Sequence, residues 1–367
     1  MCRAHSHGSP RWVALQNSRV STRIQHDFAG QDQSEGEHWR SIVLFGRNVA
    51  SYKFALAKSL LELASEEREL VTLDELAVPF AQQLCEHLAR VDRQGTFEHS
   101  RFLDACRYFN AGRIAADELH EATTLLGFNN VIDAFHVVGS GEVPTRFFVD
   151  ERPLSNGIRL TDRLLELASR VDADDMRYEA EARWRLVEES WQARAEGTQM
   201  MVLYDAPREL LVPALLGKRR PITEIRPALN GYQKGHCFYC FRPIRVAHPD
   251  LETRSDVDHF FPHVLMARGL GVDLDMPWNL VLACSRCNRG PAGKFSALPA
   301  KRYLRRLHTR NEYLIASNHP LKETLIASTG GDTRARQRFL AAVLNDAQPL
   351  AQHDAGWEAS DEEAPLF

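Results

Sequence analysis

From Ser51 the stretch SYKFALAKSLLELASEE places Leu56, Leu60 and Leu63 at i, i+4 and i+7, with Leu61 and Ala64 beside them. That spacing is one face of an amphipathic helix. TLDELAVPFAQQLCEHLARVD continues the pattern, with Thr72 and Glu75 three apart as a capping box at its start and Pro79 predicting a kink or a split. SRFLDACRYF, AADELHEATTLLGF, LTDRLLELASRV and MRYEAEARWRLVEESWQARA read as further helices. TRFFVDE at 145–151 and MMVLYD at 200–205 read as short strands. Residues 39–205 thus form a mostly helical domain of unknown task, without an internal repeat. Residues 1–38 are polar and aperiodic and read as a disordered tail. Their basic, Ser-rich, acid-poor character also admits a transit peptide or a start codon set too early.

Past position 205 the pattern changes. SDVDHFFP, rich in β-formers, predicts a strand, and NLVLA a short apolar strand or connection. A helix beginning around Cys284 carries Asn288 near its first turn. The result is a β-hairpin followed by a helix, in a domain spanning 206–310. AKRYLRRLHTRNEYLIAS, LKETLIAS and RARQRFLAAVLNDA are helix candidates, and those over 311–350 pack on that domain. Residues 351–367, ending in GWEASDEEAPLF, form an acidic tail. It is expected to be solvated; the alternative is that it shields a basic region until DNA displaces it. The fold class is α+β, mostly helical.

Composition narrows the functional classes. The chain has 367 residues, 44% hydrophobic, enough for two or three domains with a sizeable core. No apolar run approaches the roughly 20 residues of a membrane helix, and the start has no apolar signal core. A cytoplasmic protein is expected, without membrane contact. Of seven cysteines, Cys2, Cys85 and Cys106 are scattered, while Cys237, Cys240, Cys284 and Cys287 form two C-x-x-C pairs. A secreted disulfide scaffold would be shorter and denser in cysteine. In a reducing compartment such pairs read as metal ligands, and four thiolates close the shell of a structural Zn²⁺. A redox pair is the alternative, but no βαβ pattern surrounds either motif. His236 and His248 flank the first pair, yet four cysteines leave no need of them. The stretch between the pairs is longer than the usual spacing of about 15–20 residues, so something is built into it.

The net charge of −4, from 45 Lys+Arg against 49 Asp+Glu, argues against nucleic acid taken alone. The basic residues are nevertheless concentrated between Lys218 and Arg310, leaving the remainder acidic. A nucleic-acid partner for that block becomes an expectation.

The enclosed stretch carries Asp258 and His259 on the first strand, Asn279 before the second, and Asn288 within an NRG run on the helix. In that order and within a four-cysteine frame, residues 225–296 resemble the HNH, or ββα-metal, endonuclease family, in its zinc-stabilised form with an H-N-N set. The resemblance implies hydrolysis of DNA phosphodiester bonds with one catalytic Mg²⁺ or Mn²⁺. Asp258 and Asn288 offer hard oxygen ligands for it, facing each other across the site. His259, on the other face of its strand, would be the general base, and Asn279 would hold its loop or ring. Arg286, Arg289 and Lys294 would grip phosphates, as would Lys301, Arg302, Arg305 and Arg306, spaced along one helix with Tyr303, Leu304 and Leu307 interleaved. A solvated amphipathic helix is the plainer reading of that last group. His263 could assist the metal or touch DNA; a surface position is preferred. Members of the family serve in restriction and phage defence, which implies a possible partner protein. The competing function is a zinc-stapled nucleic-acid-binding module that cuts nothing.

Overall fold

The computed structural model describes residues 34–46, 49–66, 68–97, 99–139, 141–214, 221–317, 319–351 and 356–367. Most of the expected tail, 1–33, and Lys218, Arg219 and Arg220 of the basic block lie outside the described residues. Structure begins earlier than expected. Ser34 accepts the Glu37 N–H and caps a helix over Glu35–Phe45 (α1) that buries Trp39, Ile42 and Val43. The polar residues that made this stretch read as unstructured, Glu37, His38 and Arg40, are buried and paired, so residues 34–38 are not tail.

The helical half follows as α2 (Tyr52–Ala64), β1 (Leu70–Thr72), α3 (Leu73–Leu88), α4 (Arg101–Asn110) and α5 (Ala116–Leu126). Then come β2 (Phe148–Asp150), β3 (Gly157–Leu160), α6 (Asp162–Ser169) and α7 (Ala173–Ala195). The capping box forms at Thr72 and Glu75. Helix α3 is nonetheless not split at Pro79. Burial of Leu76, Ala77, Phe80 and Leu84 around it outweighs an interruption that costs about 3 kcal/mol. A three-stranded antiparallel sheet in the order β1-β3-β2 lies against these helices. The core here is strongly aromatic, with Phe54, Phe80, Phe102, Phe128, Phe135 and Trp184 among its buried members.

The second half opens with β4 (Val202–Asp205), β5 (Leu210–Pro213) and β6 (Thr223–Glu224), a second antiparallel sheet in chain order. Next come α8 (Ile225–Gln233), β7 (Ser255–His259), β8 (Leu280–Cys284) and the short helix α9 (Ser285–Arg289). Strands β7 and β8 form the expected antiparallel hairpin, with His259 opposite Leu280 and Asp256 opposite Ala283. Three helices close the chain: α10 (Lys301–Ala316), α11 (Lys322–Thr329) and α12 (Thr333–Ala347). The second core gathers Phe238, Tyr239, Phe261, Trp278, Leu282 and Tyr303. The chain is therefore α+β, with small sheets set among helices. No helix among the described residues is long and apolar enough to cross a membrane.

Both cores draw on α1 and α7. Trp39 and Trp184 face the first, Leu44 and Leu186 the second. Buried charge joins the same elements to the second half. Arg40 holds Glu179 through two hydrogen bonds of 2.9 and 3.1 Å, and Asn230 on α8 donates to the same carboxylate at 2.7 Å. Lys234 pairs with Glu37 at 2.9 Å. Asp175, fully buried, accepts from the Arg245 side chain and from the backbone N–H groups of Val246 and Ala247. Such groups are stable in low dielectric only when every charge has its partner, so they fix how the long helix meets the cysteine-bearing segment.

Candidate metal centre and adjoining cleft

The cysteine cluster is built by two turns meeting at one hairpin. After α8 the chain passes through left-handed conformations at Lys234 and Gly235 (φ 55° and 74°) and reaches Cys237. The Cys237 N–H donates to the Arg242 carbonyl and the Phe241 N–H to the Cys237 carbonyl, curling Cys237 and Cys240 into a tight knuckle. Phe238 N–H donates to Leu282 O at 2.9 Å, which lays the knuckle on β8. Cys284 ends that strand and stands at the N-cap of α9; Cys287 lies in its first turn. All four sulfurs are buried and lie within 4.8 Å of one another. A tetrahedron with Zn–S bonds of about 2.3 Å has sulfur–sulfur edges of about 3.8 Å, and Cys240 Sγ lies 3.7 Å from Cys284 Sγ. Burial holds the Cys237 thiol well above its usual pKa, a penalty that a cation bound among the sulfurs relieves. The donor set and spacing fit one structural Zn²⁺. His236 is directed elsewhere, with Nδ1 2.7 Å from the Lys234 carbonyl, and His248 pairs with Asp174.

Beside the cluster, β7, the loop after it and α9 line an open cleft of about 290 Å³ that includes Asp258, His259, His263, Asn288 and Phe295. Asn279 organises its floor. Completely buried, it accepts the Phe261 N–H at 2.8 Å through Oδ1 and donates through Nδ2 to the carbonyls of Phe261 and Leu274, both at 3.0 Å. It therefore ties the end of β7 to the 274–279 loop and does not touch the His259 ring. That loop carries Asp275, whose carboxylate lies 2.7 Å from His259 Nε2 and 3.3 Å from His263 Nε2. An ionised carboxylate accepts only, so Nε2 of His259 carries the proton and Nδ1 is left as the acceptor. Burial draws the His259 imidazole below the usual histidine value, against the opposing pull of Asp275. His263 is mostly exposed, as expected, but shares the Asp275 carboxylate. Nothing in the sequence pattern marks Asp275, and its relation to His259 depends on the Asn279 tie.

Asp258 lies on the opposite face of the strand and is buried. Its Oδ1 receives Lys294 Nζ at 2.9 Å and its Oδ2 the Tyr239 hydroxyl at 2.6 Å. Lys294, also buried, donates in addition to the His259 carbonyl at 2.8 Å. It is thus not positioned to grip a phosphate as expected: the carboxylate within its reach has captured it. Asn288 lines the same cleft as Asp258 but is hydrogen-bonded to a different carboxylate. Its Nδ2 donates to Asp256 Oδ2 at 3.2 Å, and Arg289 pairs with the same carboxylate at 3.0 Å. The register explains this. Helix α9 follows directly on its N-cap Cys284, opposite Ser255, so its first turn lies at the Asp256 end of β7. Asp258 is two residues further along, about 6.6 Å at the usual rise. The oxygens of Asp258 and Asn288 suit a hard divalent cation, and an ion at Asp258 would compete with the Lys294 ammonium for that carboxylate.

The remaining basic residues separate into two groups. Lys301 and Arg305 stand exposed on α10. Arg286 pairs with Asp361 at 2.6 Å, and Arg302 with Glu358 and Glu362 at 3.3 and 2.5 Å. Their partners belong to the acidic segment expected to be solvated. Its residues Gly356–Phe367 are instead docked. Trp357 packs among Tyr239 and Tyr303 and donates to the Ala292 carbonyl, while Phe367 packs on Tyr232, Phe238 and Phe241. Two aromatic side chains flanking the acids supply apolar burial that the charge count concealed.

No family model, curated protein or solved structure matches this chain.

Proposed function

We propose that this chain is an HNH-type endonuclease that hydrolyses DNA phosphodiester bonds in the cleft beside the cysteine cluster. The observation that carries the reading is the His259–Asp275 pair. A mostly buried imidazole that lines an open cleft has one nitrogen committed to a carboxylate, which leaves the other as the acceptor. That is the arrangement a general base needs near neutral pH. A water in the cleft would give its proton to Nδ1 as its oxygen attacks phosphorus, and the bond from phosphorus to the leaving sugar oxygen would break. His259 sits at the end of a hairpin whose other strand runs into the cysteine cluster, so a structural Zn²⁺ would hold the base rigidly. A divalent ion such as Mg²⁺ or Mn²⁺ would supply Lewis-acid stabilisation of the leaving oxygen, with Asp258 and Asn288 as the residues that would hold it.

The test is nicking of supercoiled plasmid with Mg²⁺ or Mn²⁺, comparing the wild type with His259→Ala. Metal-dependent nicking by the wild type alone supports the reading; equal nicking by both removes His259 from its role. One observation favours a second reading, a zinc-stapled nucleic-acid-binding module without catalysis: Asp258 already has Lys294 as its cation. Intact plasmid under every metal, together with DNA binding, would select that reading.

A further inference from the structure

The docked segment Gly356–Phe367 lies across a cluster of arginines drawn from three elements: Arg242 after the knuckle, Arg286 on α9, and Arg302 and Arg306 on α10. Asp361 reaches Arg286 at 2.6 Å and Arg242 at 3.8 Å. Glu362 reaches Arg302 and Arg306, each at 2.5 Å, and Glu358 reaches Arg302 at 3.3 Å. We propose that this arginine face is a binding surface for the phosphate backbone of duplex DNA, and that Glu358, Asp361 and Glu362 occupy it in the resting chain as phosphate substitutes. The proposal shares with the preceding section only the nucleic-acid partner and is independent of catalysis.

Three features carry it. First, the four guanidiniums converge on one strip of chain, and guanidinium matches carboxylate and phosphate in the same forked geometry. Second, the acids and the anchors are separate. The segment is held by Trp357 and Phe367 in aromatic contacts and by backbone bonds from Trp357 to Leu298 and from Glu363 to Cys240. Third, the ion pairs between those anchors are mostly wet. Arg242, Arg286 and Arg302 keep 40%, 53% and 38% of their side-chain surface exposed, and Glu358 and Asp361 keep 54% and 57%. Exposed pairs contribute little each, whereas a polyanion gains from counterion release at every phosphate it places. Exchange of Glu358 and Asp361 for phosphates is therefore within reach without extracting the aromatic anchors, whereas Glu362, 17% exposed, is the more deeply seated acid. Arg306 is the fixed member: it also donates to the carbonyls of Phe238 and Tyr239 and is largely buried.

The test is fluorescence anisotropy with a labelled duplex DNA of about 20 base pairs over a salt series, without added divalent cation. The variant Glu358→Gln/Asp361→Asn/Glu362→Gln keeps both anchors and should bind about tenfold more tightly at low salt. Adding Arg286→Gln and Arg302→Gln to that variant should abolish the gain. Neutralising three acids elsewhere, Glu62, Glu69 and Glu121 to Gln, changes net charge equally and should give no such gain. Unchanged affinity in the first variant would overturn the proposal, as would a gain that survives loss of the two arginines or that the distant acids reproduce. Because the measurement is binding, an inactive nuclease does not alter its outcome.

Discussion

His259 Nε2 lies 2.7 Å from the carboxylate of Asp275, sixteen positions away, and this pairing decides which ring nitrogen carries the proton. Replacing Asp275 with Asn removes the full negative charge and allows the ring to turn or exchange its proton. General-base action contributes about 10²–10⁴-fold, so His259→Ala should lower nicking by that order and Asp275→Asn by about a hundredfold. Nitrogen chemical shifts of His259 should report an Nε2–H tautomer in the wild type and its loss in Asp275→Asn. An unchanged tautomer in the variant would exclude the positioning role even if the protein proves inactive.

The same pair fixes a pH dependence. Burial lowers the folded-state pKa of His259, with Asp275 opposing it. Below the unfolded value of about 6.5, the unfolded chain binds the extra proton more readily than the folded one. The stability contribution is therefore complete above that pH and is lost as pH falls through the folded value. The acid limb of nicking should accordingly lie below pH 6.5, and Asp275→Asn should move it lower still. A limb that moves upward in the variant would contradict this account.

Lys294 and Asp258 form a pair with almost no exposed surface. Removing one partner of such a pair destabilises a fold by about 3–5 kcal/mol. Lys294→Met should therefore lower the melting temperature markedly in the absence of divalent cation. Mg²⁺ should restore part of the loss, because an ion that binds only the folded state stabilises it. Thermal unfolding with and without Mg²⁺ checks this, and a variant indifferent to Mg²⁺ would remove Asp258 from the ion's ligand set.

The cysteine cluster makes its own demand. Metal analysis should find about one zinc per chain, since four thiolates close a tetrahedral shell. Cys284→Ser should release both the zinc and the folded second core, because the same residue ends β8 and caps α9. A chain that folds normally without zinc would refute the site.

Asp175 tests the junction between the halves. Asp175→Ala would strand the Arg245 guanidinium and two backbone N–H groups, all partly buried, where the cost of about 1–3 kcal/mol for a fully buried unpaired group is an upper bound for each. The expected outcome is a large loss of stability in which the helical half and the cysteine-bearing half unfold together. Separate transitions would show that the two cores are not coupled through this residue.

Local order was legible in the sequence wherever a short-range rule governs. The 3.6-residue spacing of Leu56, Leu60 and Leu63, the Thr72–Glu75 cap, the β-forming residues around Asp258 and the paired C-x-x-C turns each report geometry within a few residues, and each element formed. Helix α1 escaped notice because its charged residues are paired with Glu179, Lys234 and Asp172, which lie far along the chain. The partners of the candidate site residues depended likewise on the fold. Asn288 meets Asp256 rather than Asp258 because of a strand register; Lys294 is captured by a buried carboxylate; Asp275 reaches His259 across a loop tied down by Asn279; and an acidic segment docks through Trp357 and Phe367. Composition and spacing determine which groups are present and which elements carry them. Electrostatic pairing acts through space between residues distant in sequence, so only the tertiary structure decides which charge each of those groups meets.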